Sequence, residues 1–202
     1  MSVYGGRVVG VCGLHGCGKS TLLRIAAGLM RTDCGEVEIC GLPVGKKTRA
    51  LTACLPDRDM LPDDVKIGEA VRLFSGWFKD FSSAAALAML DDLSIDINKR
   101  FGTFSQGARR GIQFALMASR QTALYLLDEP AAGTDERTRA YIYQKIGELA
   151  REESAVLVAV NNIDEAAQAL DDLLILQNGT VRHYGSAREC DPAALFKEVC
   201  QC

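Results

Sequence analysis

Short apolar runs alternate with longer amphipathic stretches along most of this chain. Leu124-Tyr125-Leu126-Leu127 and Ala155-Val156-Leu157-Val158-Ala159-Val160 are apolar at successive positions. A strand of that kind buries both of its faces, which suits a parallel sheet covered by helices on either side. Runs at 7–12, 36–40, 51–55, 123–128, 155–160, 172–177 and 180–184 read as strands. Stretches 19–29, 66–78, 83–93, 107–119, 136–151 and 163–170 read as helices. Asn178-Gly179 between the last two runs is a hairpin turn. The alternation predicts an α/β fold, with residues 64–120 as a mostly helical insertion. The expected organisation is one domain over 1–202: an α/β core at 1–63 and 121–190, a helical subdomain at 64–120 and a tail at 191–202. Phe74, Trp77, Phe78 and Phe81 recur at helical spacing and predict one apolar face packed into the core.

One loop changes the picture from fold to chemistry. Residues 13–21 read G-L-H-G-C-G-K-S-T, which satisfies G-x-x-x-x-G-K-[S/T] from Gly13 to Ser20. The loop follows an apolar strand run and precedes a helical one, the context that a phosphate-binding P-loop requires. Glycines let consecutive backbone N–H groups point into one concavity, and the following helix adds the positive end of its dipole. Gly13, Gly16, Cys17, Gly18, Lys19, Ser20 and Thr21 are therefore the expected seat of a polyphosphate. Lys19 is placed to reach the terminal phosphates and Ser20 to ligate Mg²⁺. For Cys17, nearby amides and Lys19 suggest a redox-sensitive thiol, and the plainer reading is a small residue that happens to be cysteine.

A metal–nucleotide site also needs a carboxylate. Residues 124–130 read L-Y-L-L-D-E-P, which puts Asp128 at the C-terminal end of a buried strand, where open α/β sheets bind ligands. Asp128 is expected to hold Mg²⁺, and Glu129 to orient an attacking water.

These segments, in this order, resemble the ATP-binding subunit of an ABC transporter, of the bacterial export type. Walker A lies at 13–21 and Walker B at 124–128 with Glu129 beside it. Phe104-Ser105-Gln106-Gly107-Ala108 stands where the family has its L-S-G-G-Q signature, and 131–135 (A-A-G-T-D) resemble the D-loop. The likeness covers about residues 5–190. It implies a RecA-like P-loop NTPase core sheet flanked by helices, with ATP and Mg²⁺ as cofactors. It also implies a head-to-tail dimer in which Ser105 and Gly107 reach the γ-phosphate held by the other copy. Asp135 then sits at the seam, and a transmembrane permease docks beside the helical subdomain. Ser105 equally suits the N-cap of the helix that follows.

Four departures from the family pattern stand out. Asp57 replaces the Q-loop glutamine, as in some export-type members, and still offers oxygen to Mg²⁺. Asn161 replaces the switch histidine; it donates a hydrogen bond but carries no titrating proton, and it also suits an N-cap for the helix at 163. Gln106 and Ala108 alter the signature, and a side chain at 106 is expected to crowd a phosphate. Finally, only 18 residues precede Lys19, where the family has two further strands and an aromatic that stacks on adenine. Tyr4 is the sole aromatic there, and it is expected to lie too near the loop to serve. Three functions follow: an ATPase subunit powering a permease, a degenerate nucleotide-binding module with little hydrolysis, or a soluble P-loop kinase.

Composition narrows the partners. With 48% apolar and 24% charged residues and a net charge of −3, the chain shows no electrostatic case for binding nucleic acid. No apolar run reaches membrane-spanning length and the N-terminus lacks signal-peptide blocks, so the expectation is a cytoplasmic protein held at the inner face of the membrane by its partner. The eight cysteines, at 12, 17, 34, 40, 54, 190, 200 and 202, include no C-x-x-C. Cys200-Gln201-Cys202 is the nearest approach to metal-ligand spacing, and reduced thiols are the expected state throughout.

Overall fold

The computed structural model describes residues 2–188 and 191–200. Its centre is a six-stranded sheet in the order β4 (Thr52–Leu55), β5 (Leu124–Asp128), β6 (Ala155–Ala159), β1 (Val8–Gly13), β7 (Asp172–Gln177) and β8 (Thr180–Ser186). The strands from β4 to β7 run parallel, and β8 returns antiparallel. The β7–β8 turn is Asn178-Gly179, with both residues at positive φ (50° and 75°), as a tight two-residue hairpin requires.

Alternation along each strand divides the core in two. Val9 and Val11 of β1, Leu126 of β5, Leu157 of β6 and Leu174 of β7 face helix α1 (Lys19–Ala26), where Leu23 meets them. Val8, Leu127, Val158 and Leu173 face the other way, into a larger cluster with α5 (Gln106–Ala118) and α6 (Glu136–Leu149). Both faces are therefore dry, which is why these strands carry almost no polar residues. Helices α3 (Ile67–Trp77) and α4 (Ser83–Asp92) pack beside α5. Ser82 caps α4, accepting from the Ala85 amide at 3.2 Å.

Several expectations need correction. The run at 36–40 is not one strand but part of a small hairpin, β2 (Glu38–Ile39) and β3 (Leu42–Pro43). Helix α2 (Lys46–Ala50) was not foreseen, because its only buried residue is Thr48 and it has no apolar stripe. Local bonds build it instead: the Gly45 amide donates to Thr48 Oγ1 at 2.8 Å, and that hydroxyl donates back to the Gly45 carbonyl at 3.0 Å. The helix at 163–170 shortens to α7 (Ile163–Ala166) plus one 3-10 turn. Leu170 leaves the helix to fill the space over Gly10, where a Cβ would lie 2.5 Å from Leu170 Cδ1. Over its described part, the expected tail at 191–202 is helix α8 (Pro192–Cys200), and Leu195, Phe196 and Val199 pack on the core. Cys190 and the Gln201-Cys202 end of the cysteine fragment lie outside the described residues.

The aromatic face is also less regular than its spacing. Helix α3 ends at Trp77, so Phe78 and Phe81 are not on it. Phe74 is the hub, with ring centroids 5.6–5.8 Å from Trp77, Phe78 and Phe81, while Trp77 is 64% exposed.

Arg120 joins these layers. It is 3% exposed and grips both carboxylate oxygens of Asp80, at 3.1 and 2.9 Å. It also donates to the carbonyls of Thr52 (2.6 Å) and Ala50 (3.0 Å) and lies 4.1 Å over the Phe78 ring. Arg120→Ala strands Asp80 and two carbonyls, so unfolding in urea should show a loss of about 3–5 kcal/mol.

Candidate functional site

Strand β1 ends at Gly13, between β6 and β7, and the chain then loops over residues 14–18 into α1. No side chain caps this helix; Gly18, at φ 108°, stands in the cap position. The first α-helical bond here runs from the Leu22 amide to the Gly18 carbonyl at 2.9 Å. The amides of Lys19, Ser20 and Thr21 thus belong to the open first turn, whose donors have no acceptor within the helix. Beneath the loop, a Cβ on Gly13 would sit 2.4 Å from both Cys17 Sγ and the Leu176 carbonyl, so glycine is required for that contact. Cys17 is consequently buried, and its carbonyl accepts from the Gly179 amide at 2.9 Å. That burial favours the packing reading of Cys17 over the redox one. Lys19 is also buried, and its ammonium donates to the carbonyls of Gly13 (2.7 Å) and Leu14 (3.4 Å).

The carboxylates stand on the neighbouring strand ends. Asp128 closes β5 at 4% exposure, and its Oδ1 has no hydrogen-bond partner. A buried carboxylate oxygen left unpaired is costly, and a cation or a water, metal-bound or free, satisfies it. The described residues hold no cluster of three or more His, Cys, Asp or Glu able to cage a metal. Mg²⁺ needs no such cage, being held by one or two carboxylates together with phosphate oxygens. The donor set therefore fits Mg²⁺ accompanying a nucleotide.

Glu129 follows at φ 50°, an uncommon backbone setting for a residue with a side chain. Its amide donates to the Ala159 carbonyl at 3.0 Å. Its Oε1 accepts a hydrogen bond from Asn161 Nδ2. Register explains the meeting: Asp128 lies opposite Ala159, so Glu129 and Asn161 leave adjacent strand ends. Asn161 does not cap α7; Asn162 does, accepting from the Asp164 amide at 3.1 Å.

Asp57 sits in the loop after β4, half exposed and 3.2 Å from Arg24 of α1. The same loop is tied to α5 by three side chains whose roles the sequence did not reveal. Gln113, fully buried, accepts from the Met60 amide (2.6 Å) and donates to Asp59 (2.7 Å). Arg109 pairs with Asp59 and Asp63, each at 3.2 Å. Arg110 donates to the carbonyls of Pro56 (2.6 Å), Glu129 (3.0 Å) and Asp128. Polar residues on a helix otherwise buried were the available signal. Burial pushes the Cys54 thiol of β4 up to about 11, with Asp128 adding to the effect and Arg24 opposing it.

The second set of predicted residues lies elsewhere. Ser105 caps α5, accepting from the Ala108 amide at 3.3 Å. A Cβ on Gly107 would lie 2.5 Å from the Gly133 carbonyl, so glycine here permits close packing within the chain. The Gln106 side chain lies alongside Gly133. Asp135 caps α6 through the Thr138 amide (2.8 Å), and this bond and one from the Thr138 hydroxyl hold its carboxyl below the usual range. Ser105, Gly107, Gly133 and Asp135 line one pocket of about 310 Å³ that includes none of residues 13–21. Within one chain the structure thus brings Glu129 to Asn161 but leaves Ser105 and Gly107 in a separate pocket. Tyr4 is 72% exposed before the start of β1. It lines a pocket with Leu22 and Ala26 of α1, the helix that follows the loop.

Comparison with known proteins agrees with this geometry. The family model described as ABC transporter matches residues 1–132. The hemin import ATP-binding protein of Bordetella avium (strain 197N) is 30% identical over 212 residues, covering 96% of this chain and 81% of that protein. Nod factor export ATP-binding protein I of Burkholderia orbicola (strain AU 1054) is 27% identical over 187 residues, covering 88% of this chain. The chain spans 61% of that relative's length. The ATP-binding cassette MJ0796, solved as a dimer in a post-hydrolysis state with ADP and phosphate, shares the fold at a TM-score of 0.82. It is 22% identical, with 93% of this chain and 88% of that one covered. The family match and the Bordetella likeness together place this chain in the ABC transporter family, as an ATP-binding subunit, the ATPase component that energises transport.

Proposed function

We propose that the chain binds MgATP on residues 13–21 and hydrolyses it as half of a head-to-tail dimer, and that this cycle drives a transmembrane permease. One observation carries the reading: a buried, unpartnered Asp128 oxygen at a strand end beside an uncapped helix start. Gly13, Gly16, Cys17, Gly18, Lys19, Ser20 and Thr21 would hold the phosphates through amides, an ammonium and hydroxyls. Ser20 and Asp128 would hold Mg²⁺, with Asp57 offering a further oxygen. When bound, the ion neutralises phosphate charge and orients the group that is transferred. Arg24 offsets the negative charge that Asp57 adds. Glu129 would orient the attacking water and accept its proton, with the Asn161 amide steadying the carboxylate. Asn161 cannot shuttle a proton as histidine does, which supports slow turnover in the isolated chain.

The separate Ser105–Gly107 pocket supports the dimer, since a second copy is needed to bring that pocket to the phosphates. The dimeric state of MJ0796 supports it too. In this reading residues 64–120 act as the helical subdomain, the permease docks beside them, and the chain works at the inner face of the membrane without spanning it. Among the described residues no helix is long and apolar enough to cross. The relatives are named one for export and one for import, so the export-type assignment rests on Asp57.

Glu129→Gln is expected to lower phosphate release from MgATP by roughly 100-fold or more, the scale of general-base catalysis, while ATP binding persists. Parent-like turnover in that variant would remove Glu129 from the chemistry. Lys19→Ala should weaken ATP affinity about tenfold or more, as loss of a charged hydrogen bond implies. Unchanged affinity in an equilibrium titration would overturn the phosphate-loop reading.

A further inference from the structure

We infer that Arg110 is a positioning residue for hydrolysis: its guanidinium, spread over the carbonyls of Pro56, Asp128 and Glu129, fixes the ends of β4 and β5 and so aims Glu129. The inference rests on the catalytic role proposed for Glu129.

Arg110 is 5% exposed, yet its donors reach three backbone carbonyls on two strand ends rather than a carboxylate. A cation buried on neutral acceptors is expensive, and an apolar residue would pack an ordinary helix–sheet contact at less cost. Burial does lower its pKa; Asp128, Asp57, Glu129 and Asp59 lie close enough to oppose that and favour the charge.

The acceptors explain the choice. Glu129 holds a left-handed backbone, pinned on one side by its amide on Ala159 and on the other by Arg110 Nε on its carbonyl. Release of that carbonyl frees the peptide to relax toward a commoner conformation and turn the carboxylate away from Asn161. Pro56 precedes Asp57, so the same guanidinium also sets where the Asp57 loop begins. Lysine cannot replace this fork, because an ammonium is a point charge without its planar spread of donors. Ser105 heads the helix that carries Arg110, so a displacement of that helix reaches Glu129 inside the same chain.

The test uses the full chain with Arg110→Lys and Arg110→Met. Three quantities are measured beside the thermal midpoint: ATP turnover, ATP affinity in EDTA, and the gain in affinity on adding Mg²⁺. Arg110→Lys should lower kcat about tenfold or more, while KM for MgATP rises only by about the factor that the weaker Mg²⁺ coupling accounts for, since most of the lost interaction acts in the transition state. Metal-free ATP affinity should stay within about twofold, while the Mg²⁺-dependent gain falls at least about threefold as Asp128 loses its anchor. Parent-like kcat and parent-like Mg²⁺ gain in Arg110→Lys overturn the inference. So does a fall in metal-free affinity that matches the fall in kcat, which marks general damage. Should Arg110→Met fail to fold, Arg110→Lys still decides. Should the parent show no turnover, the Mg²⁺ gain decides. Glu129→Gln is run in parallel: if it keeps parent turnover, the reading of Glu129 has failed, and Arg110 is judged on the Mg²⁺ gain alone.

Discussion

Parallel pairing of β4, β5, β6 and β1 is the constraint on which everything else depends. Strands that run the same way end at the same rim. Leu55, Asp128, Ala159 and Gly13 therefore finish side by side, and the loops that follow share one edge. Those loops carry Asp57, Glu129 and Asn161, and one of them leads into Lys19 at the start of α1. No long-range device is needed to gather them, because hydrogen-bond register already has. The apolar residues that force both sheet faces to be covered are, in this sense, the first determinants of the site.

Polar residues proposed for the site also serve the fold. Ser105 caps α5 and heads the signature segment. Asp135 caps α6 and lines the same pocket. Gly107 is glycine because the backbone of residue 133 comes too close for a side chain. That requirement exists within a single chain, independently of any phosphate. An altered motif such as Ser105-Gln106-Gly107 can thus keep the residues its own packing demands while varying at Gln106.

The legible parts were those set by local sequence. The strand runs could be read because burial on both faces leaves a continuous apolar signal. The loop between β1 and α1 and the strand end at Asp128 could be read because glycine spacing and an apolar run fix their local shape. What stayed hidden depended on partners far along the chain. Arg110 was visible as a residue, but its acceptors lie 18, 19 and 54 positions away. Gln113 and Arg120 make similar distant bonds. Helix α2 leaves no such signal because two hydrogen bonds between Gly45 and Thr48 build it without an apolar stripe. The left-handed backbone of Glu129 likewise leaves no trace in composition.

The cysteines of the phosphate edge illustrate a last consequence of burial. Cys17 is sealed under its own loop, its sulfur against Gly13. Burial, with Asp128 nearby, pushes the Cys54 thiol well above its ordinary value, and the thiolate is the reactive form. Burial thus works against reaction at both sulfurs, closing access at Cys17 and disfavouring the thiolate at Cys54.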